Sequence, residues 1–257
     1  MNLERAVVLS SEEAYQGTRL IWFSAPAVGR VAQSGQFLMI RCGEGCDPLL
    51  PRPMSFHRFR QADGERQFAI LFDLRGRGTD WLWRRQPGDL VSLFGPLGRG
   101  YAVKRQSQNL LLVAGGIGVA ALVALADEAV ADGRAVTLLQ GAKTASKLFP
   151  SVSLSVEVEV VSATEDGSAG HRGLVTELLP QYLPWADQVF ACGPNAMYEA
   201  MAAIMREQAS RKSVQVLLEE HMACGMGVCY CCGVFTRRGV KLVCKDGPRF
   251  ELRELFG

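Results

Sequence analysis

Asn109-Leu110-Leu111-Leu112-Val113-Ala114-Gly115-Gly116-Ile117-Gly118 is the stretch that decides how this chain folds. An unbroken apolar run closed by a glycine turn is the pattern of a strand buried on both faces, because a half-exposed strand alternates apolar with polar residues. The alanine-rich VAALVALADEAVADG that follows (119–133) is helical in pattern and stops at Gly133. Then come AVTLLQGA (135–142), VEVEVVSAT (156–164) and DQVFACGP (187–194) as further strands, with TELLPQYL (176–183) as a short helix. NAMYEAMAAIMREQASR (195–211) is a long helix with Asn195 as its expected N-cap. Strands alternating with helices give a parallel, doubly wound sheet. The apolar run Leu110–Ala126 spans 17 residues with Gly115, Gly116 and Gly118 inside it. That is short of the roughly 20 apolar residues of a membrane span, and a strand, turn and helix account for it.

Upstream, the pattern changes. RAVVLSS (5–11), TRLIWFSA (18–25), QFLMIRC (36–42), RQFAILFDL (66–74) and DLVSLFG (89–95) are short strands. Turns such as ADGE (62–65), QPGD (86–89) and GPLGRG (95–100) separate them. Such spacing belongs to an antiparallel barrel or sandwich. The fold class expected is therefore α+β and multidomain: an antiparallel β-barrel over 1–102, a Rossmann-like α/β unit over 103–213, and a small C-terminal unit over 214–257.

That last unit is rich in cysteine. Of the chain's eight cysteines, five (Cys224, Cys229, Cys231, Cys232 and Cys244) fall within 21 residues. The N-terminus, MNLERAVVLSSEEAY, carries acids and no apolar core, so it is not a secretory signal. Clustered cysteines without one point to a metal centre in the cytoplasm rather than to disulfides. Cys224, Cys229, Cys232 and Cys244 make C-x₄-C-x₂-C-x₁₁-C, whose first part is the plant-type 2Fe–2S spacing. One compact loop supplies three thiolates and a hairpin returns with the fourth. Gly225, Gly227 and Gly233 let backbone N–H groups approach the sulfurs. Cys231 is left as a spectator, and His221 is not needed as a ligand. Zinc is the competing occupant, although structural zinc sites usually pair two short hooks. A net charge of +2 and the absence of any dense Lys/Arg block argue against a nucleic-acid partner.

The run MACGMGVCYCCG (222–233) with LVCKDGPRF (242–250) resembles the C-terminus of the electron-transfer subunits of dihydroorotate dehydrogenase B, a family of the ferredoxin–NADP reductase superfamily. The resemblance extends over essentially the whole chain. Arg52-Pro53-Met54-Ser55 is similar to the superfamily's R-P-x-S flavin motif, in which the Arg pairs with the FAD pyrophosphate. Gly76-Arg77-Gly78-Thr79 is similar to its G-x-G-T phosphate turn, and by the same resemblance Leu71, Phe72 and Asp73 line the flavin. Gly115, Gly116 and Gly118 stand where glycine amides hold the pyrophosphate of NAD. Two departures mark this site: Ala121 replaces the superfamily's usual proline, and no acid ends TLLQGAK (137–143) to bind a ribose hydroxyl. Lys143 and Lys147 are near enough to touch a 2′-phosphate. Cys192-Gly193-Pro194 resembles the C-G-P turn that sets a cysteine beside the nicotinamide.

The resemblance implies an NAD-linked electron relay without a catalytic residue of its own. Electrons from a separate FMN-containing subunit, which oxidises dihydroorotate to orotate in pyrimidine biosynthesis, pass through the 2Fe–2S cluster and FAD to NAD⁺. A heterotetramer with two copies of each subunit is implied in the same way. At 257 residues the chain has no room for an added (β/α)₈ barrel of roughly 250 residues. Met222, Met226, Val228 and Tyr230 are expected to form a docking face, and Glu219 and Glu220 a solvated lip. Two alternatives remain: the diaphorase subunit of a hydrogenase or of an electron-bifurcating ferredoxin:NADP oxidoreductase, and a zinc-stapled binding module.

Overall fold

The computed structural model describes residues 1–45 and 47–256; Cys46 lies outside them. The N-terminal unit is a seven-stranded antiparallel sheet built from β1 (Asn2–Tyr15), β2 (Thr18–Ser24), β3 (Phe37–Ile40), β4 (Arg52–Ser55), β5 (Arg58–Ala62), β6 (Glu65–Asp73) and β7 (Leu90–Leu97). Its order is β4-β3-β7-β1-β2-β6-β5. The sheet curls round a core of Ile21, Phe23, Leu38, Ile40, Phe56, Phe68, Ile70 and Leu93. Two short helices interrupt the expected all-β segment, α1 (Pro26–Gly29) and α2 (Arg77–Trp83). Helix α2 opens within the Gly76–Thr79 turn, where the Thr79 hydroxyl accepts the backbone N–H of Gly76. An N-terminal turn so satisfied continues into a helix instead of reversing as a hairpin.

The second sheet joins β8 (Asn109–Gly115), β9 (Ala135–Ala142), β10 (Val158–Thr164), β11 (His171–Arg172), β12 (Gln188–Cys192) and β13 (Ser213–Leu217), all parallel. Strand β8 is buried on both faces as its sequence requires: Leu111 and Val113 enter one core, and Leu110, Leu112 and Ala114 the other. Helices α3 (Val123–Ala131), α4 (Leu179–Tyr182) and α5 (Asn195–Glu207) accompany the sheet. Asn195 is the first helical residue, and Pro194 occupies the cap without a side-chain bond. Helix α3 is preceded by a 3₁₀ turn, Gly116–Ala121, so the long helix expected from Val119 starts later. The GSAGHRG stretch (167–173) contributes β11 at the sheet edge.

The third unit is a loop followed by a hairpin, β14 (Gly233–Thr236) and β15 (Gly239–Leu242), then α6 (Val243–Asp246), β16 (Arg249–Glu251) and α7 (Leu252–Leu255). Strand β16 pairs antiparallel with β13, so the complete second sheet runs β11-β10-β9-β8-β12-β13-β16. The division expected at 213/214 falls inside β13, which is a full partner of β12. We propose moving it to the end of that strand.

The barrel and the α/β unit are tied by charged and aromatic contacts. Arg58 makes two bonds to Asp127, at 2.6 and 3.1 Å, and Ser34 donates to Glu128 at 2.6 Å. His57 is fully buried at this junction, with Nδ1 3.0 Å from the Ala120 carbonyl and its ring edge-on to Phe149. A carbonyl only accepts, so Nδ1 carries the hydrogen. Burial lowers the pKa of His57 to about 4, outweighing the bond to Ala120. The unfolded chain takes up this proton below about pH 6.5. Between those limits the unfolded state binds more protons, so stability falls as the pH drops from about 6.5 to about 4. His57→Phe should flatten that part of the pH dependence; urea midpoints of both proteins across the window check it.

Candidate functional site

In an open α/β sheet, ligands sit beyond the carboxyl ends of the strands where the strand order reverses. Here that point lies between β8 and β12, because the chain moves from β8 to β9 on one side and returns to β12 on the other. The two sequence motifs expected to meet a nucleotide stand at these strand ends, and they touch. A side-chain carbon on Gly118 would lie 2.0 Å from the Cys192 carbonyl oxygen, and one on Gly115 2.8 Å from Pro194. Gly118 is therefore buried and shapes the packing, while Gly116 is the exposed glycine of the turn. Gly118→Ala forces the two strand ends apart and should cost about 2 kcal/mol, within the range for overpacking; urea denaturation reads it.

Facing this point across the molecule are the strands of the barrel. Together they enclose a cleft of about 840 Å³. Arg52, Pro53, Met54 and Ser55 enter it from β4, Leu71, Phe72 and Asp73 from the end of β6, and Thr79 from α2. Arg52 donates to the Leu50 carbonyl at 2.6 Å. Gly78 is buried beneath it, and a side-chain carbon there would stand 2.7 Å from Arg52 Nε, so the missing Cβ makes room for the guanidinium. Gly76 lies next to Thr79 but does not line the cleft. Asp73 accepts the Thr18 hydroxyl at 2.7 Å and pairs with Arg75 at 3.1 Å.

Cys192 lines the same cleft, as do Ile117 and Ala120 from the glycine turn. Burial first, then the nearby Glu219 carboxylate, pushes its thiol well up, so it stays protonated. Its Sγ faces Glu219 Oε1 at 3.9 Å, a long and weak S–H donation. Glu219 was not legible as a site residue: sequence alone makes it part of a solvated lip. Its side chain is exposed, as a lip residue should be, but it stands in the open cleft just past β13 with protein close on its other sides, and that crowding raises its carboxyl pKa. No periodicity marks it; only the pairing of β12 with β13 sets residue 219 beside residue 192. Tyr198 supports the floor, donating to the Leu217 carbonyl at 2.6 Å and accepting the Gly193 N–H at 2.9 Å.

The cysteine loop meets the cleft from the third side. Gly225 has φ +68°, and a side-chain carbon there would press within 2.7 Å of Met39 on β3, so only glycine lets the loop lie on the barrel. Cys224 Sγ accepts N–H bonds from Met226, Val228 and Cys229 at 3.3–3.4 Å. Desolvation raises its pKa, but these bonds and the Cys229 thiol outweigh it and bring the value down to about 6. Cys232 Sγ accepts the N–H of Cys244 at 3.4 Å, and the two thiols are hydrogen-bonded to each other; burial with this neighbour pushes Cys244 up to about 12. The four cysteines thus fall into two neighbouring pairs, Cys224 with Cys229 and Cys232 with Cys244. Among the described residues no three ligand-type side chains converge on one ion, and the seven described cysteines are free thiols. Two pairs of thiols aided by backbone donors suit two irons better than one tetrahedral ion.

Met222, expected on an outer docking face, is buried and lines the cleft with His221. Met226, Val228 and Tyr230 are exposed as expected, at 48%, 72% and 70%, and Phe235 (86%) and Val240 (56%) of the hairpin join them. Lys147 spends its ammonium on the Gln16 carbonyl at 2.7 Å. Among the described residues no helix is long and apolar enough to cross a membrane.

Comparison with known proteins gives a consistent picture. Residues 219–256 match the iron–sulfur cluster binding domain of dihydroorotate dehydrogenase B. The electron transfer subunit of dihydroorotate dehydrogenase B (NAD(+)) from Desulforamulus reducens is 38% identical over 252 residues, 95% of each chain. Its counterpart from Geobacillus thermodenitrificans is 35% identical over 257 residues, 98% of each chain. Among solved structures, an NADH-dependent reduced ferredoxin–NADP oxidoreductase studied for flavin-based electron bifurcation superposes with a TM-score of 0.85 at 27% identity, covering 98% of this chain and 89% of that one. A ferredoxin NADP⁺ reductase from Neisseria gonorrhoeae with bound FAD and NADP shares the fold, with a TM-score of 0.66 at 16% identity over 80% of this chain and 92% of that one.

The three units and their common cleft define an oxidoreductase subunit of the ferredoxin reductase type, working with FAD, an iron–sulfur cluster and NAD. Within that class the chain belongs to the family of dihydroorotate dehydrogenase B electron transfer subunits.

Proposed function

We propose that this chain passes electrons from an FMN-containing dihydroorotate dehydrogenase subunit, through a 2Fe–2S cluster and FAD, to NAD⁺. The observation that carries this reading is the single cleft lined by all three units: Arg52–Ser55 and Asp73 from the barrel, Cys192 from the α/β unit, and Met222 and Cys231 from the cysteine loop. A nicotinamide exchanges two electrons together and an iron–sulfur cluster one at a time, and a flavin, when bound, supplies the exchange between them.

In this reading Arg52 pairs with the FAD pyrophosphate, the Gly76–Thr79 turn offers Gly78, a backbone and a hydroxyl beside it, and Pro53, Met54, Ser55, Leu71, Phe72 and Asp73 hold the ring system. Gly115, Gly116 and Gly118 form the turn that receives the NAD pyrophosphate, and Cys192, Gly193 and Pro194 border the nicotinamide. Glu219 sets a carboxyl group beside that ring, next to the Cys192 thiol. NAD is preferred over NADP on the strength of the family, whose electron transfer subunits are named for NAD(+); Lys147, engaged with Gln16, is not free for a 2′-phosphate. Cys224, Cys229, Cys232 and Cys244 hold the cluster.

The partner docks on the exposed apolar residues around the cluster: Met226, Val228, Tyr230, Phe235 and Val240. Two copies of each subunit make the assembly, in the cytoplasm, where free thiols persist. A second reading, supported by the TM-score of 0.85 to the bifurcating oxidoreductase, gives the chain a different partner with the same cofactors. Absorption spectra of anaerobically purified protein test the relay. Flavin and cluster bands that both bleach with NADH support it, and a colourless reconstituted protein containing zinc sinks it. The subunit that co-purifies separates the two partners.

A further inference from the structure

Cys231 stands between two cluster thiols and has no assigned task. We propose that it is a positioning residue: the point at which the cluster loop meets the flavin, in the wall of the cleft that Cys192 also lines. This rests on the flavin reading above and says which part of the cluster loop the flavin touches.

The local backbone makes the case. Gly233 N–H bonds the Tyr230 carbonyl at 3.2 Å, which closes a turn with Cys231 and Cys232 at its centre. Tyr230 enters this turn at φ 61°, a left-handed conformation that side chains other than glycine avoid. The result separates neighbours. Cys232 is only 3% exposed and directs its sulfur to Cys244, whereas Cys231 is exposed and lines the cleft. One peptide bond therefore joins a cluster ligand to the cleft wall.

The surroundings of Cys231 agree with an aromatic occupant. Phe37 of β3, Met222 and Pro248 line the cleft together with it. A soft thiol and a thioether beside a ring and a proline make a surface suited to the apolar edge of an isoalloxazine, where sulfur–aromatic contacts are favourable. Polar groups share the lining: Glu220 and His221 next to Met222, Cys192 and Glu219 at the nucleotide side, Arg52 and Asp73 on the barrel. The cluster loop thus contributes wall to the same cleft that the flavin reading fills.

The test uses the full chain with its cluster in place. Anaerobic alkylation with iodoacetamide is followed by mass spectrometry of the peptide containing Cys231, in FAD-stripped and FAD-loaded protein. Cys231 should be labelled when FAD is absent and protected when it is bound, and Cys231→Ser should keep its full iron content. Equal labelling in a protein that visibly retains FAD overturns the proposal while leaving the flavin reading intact. Loss of iron from Cys231→Ser also overturns it, by making Cys231 a ligand. Failure of the chain to retain any FAD brings down the flavin reading and this proposal with it.

Discussion

Cys244→Ser is expected to lose the iron–sulfur cluster outright, while Cys231→Ser keeps it. Cys244 is the proposed ligand that returns from the far end of the hairpin, on the four-residue helix α6, where it is 3% exposed and paired with Cys232. The loop before it has little else to hold it. Cys229, Tyr230 and Cys231 are exposed, and the chain turns through positive φ at Gly225, Gly227 and Tyr230. In small metal-folded units the metal contributes on the order of 10 kcal/mol of apparent folding free energy. A serine oxygen in place of a thiolate removes a quarter of the ligand set and leaves Cys232 without its partner. Iron and sulfide content per chain should collapse, and limited proteolysis should cut within 219–256 while the two larger units survive. NADH should still bleach the flavin of this variant, since Cys192 and the glycine turn are untouched. Cys244→Ser protein with full iron content would sink the proposed ligand set.

Arg52→Ala is expected to release FAD. Arg52 holds a guanidinium over Gly78 at the mouth of the cleft, anchored by the Leu50 carbonyl. A hydrogen bond to a charged group contributes about 3 kcal/mol at the upper end, and a two-pronged arginine–phosphate pair belongs there. That corresponds to a loss of roughly a hundredfold in FAD affinity. Arg52→Lys should recover only part of it, because an ammonium cannot reproduce the fork. Flavin fluorescence on titration of stripped protein reads both, and unchanged affinity in Arg52→Ala would place the pyrophosphate elsewhere.

Much of this architecture is written locally in the chain. Asn109–Gly118 announces a two-faced strand and a glycine turn, and β8 is such a strand. The cysteine spacing anticipates the two thiol pairs, because three of the proposed ligands lie in one loop and the hairpin length sets the fourth. What escaped has a common physical origin: it depends on which elements become neighbours. Glu219 is one acid among many until β13 places it 3.9 Å from Cys192. His57 looks like an ordinary residue after a flavin motif, yet it is the buried contact between two units. Met222 looks like surface decoration and is wall. Asn195, a good cap by residue type, yields the cap position to Pro194 because the chain must leave Gly193 extended before the helix begins. Helix α2 hides in a glycine-rich turn because the Thr79 hydroxyl, not any periodicity, starts it.

The chain leaves the parallel sheet after β13, travels round the cysteine loop and hairpin, and comes back to seal the same edge it left. Strand β16 thus acts as a lid on β13: without it that strand would present an unpaired edge of the kind that recruits other strands. A chain truncated before β16 is therefore expected to self-associate, so the short C-terminal strand protects the protein's solubility as well as closing its last unit.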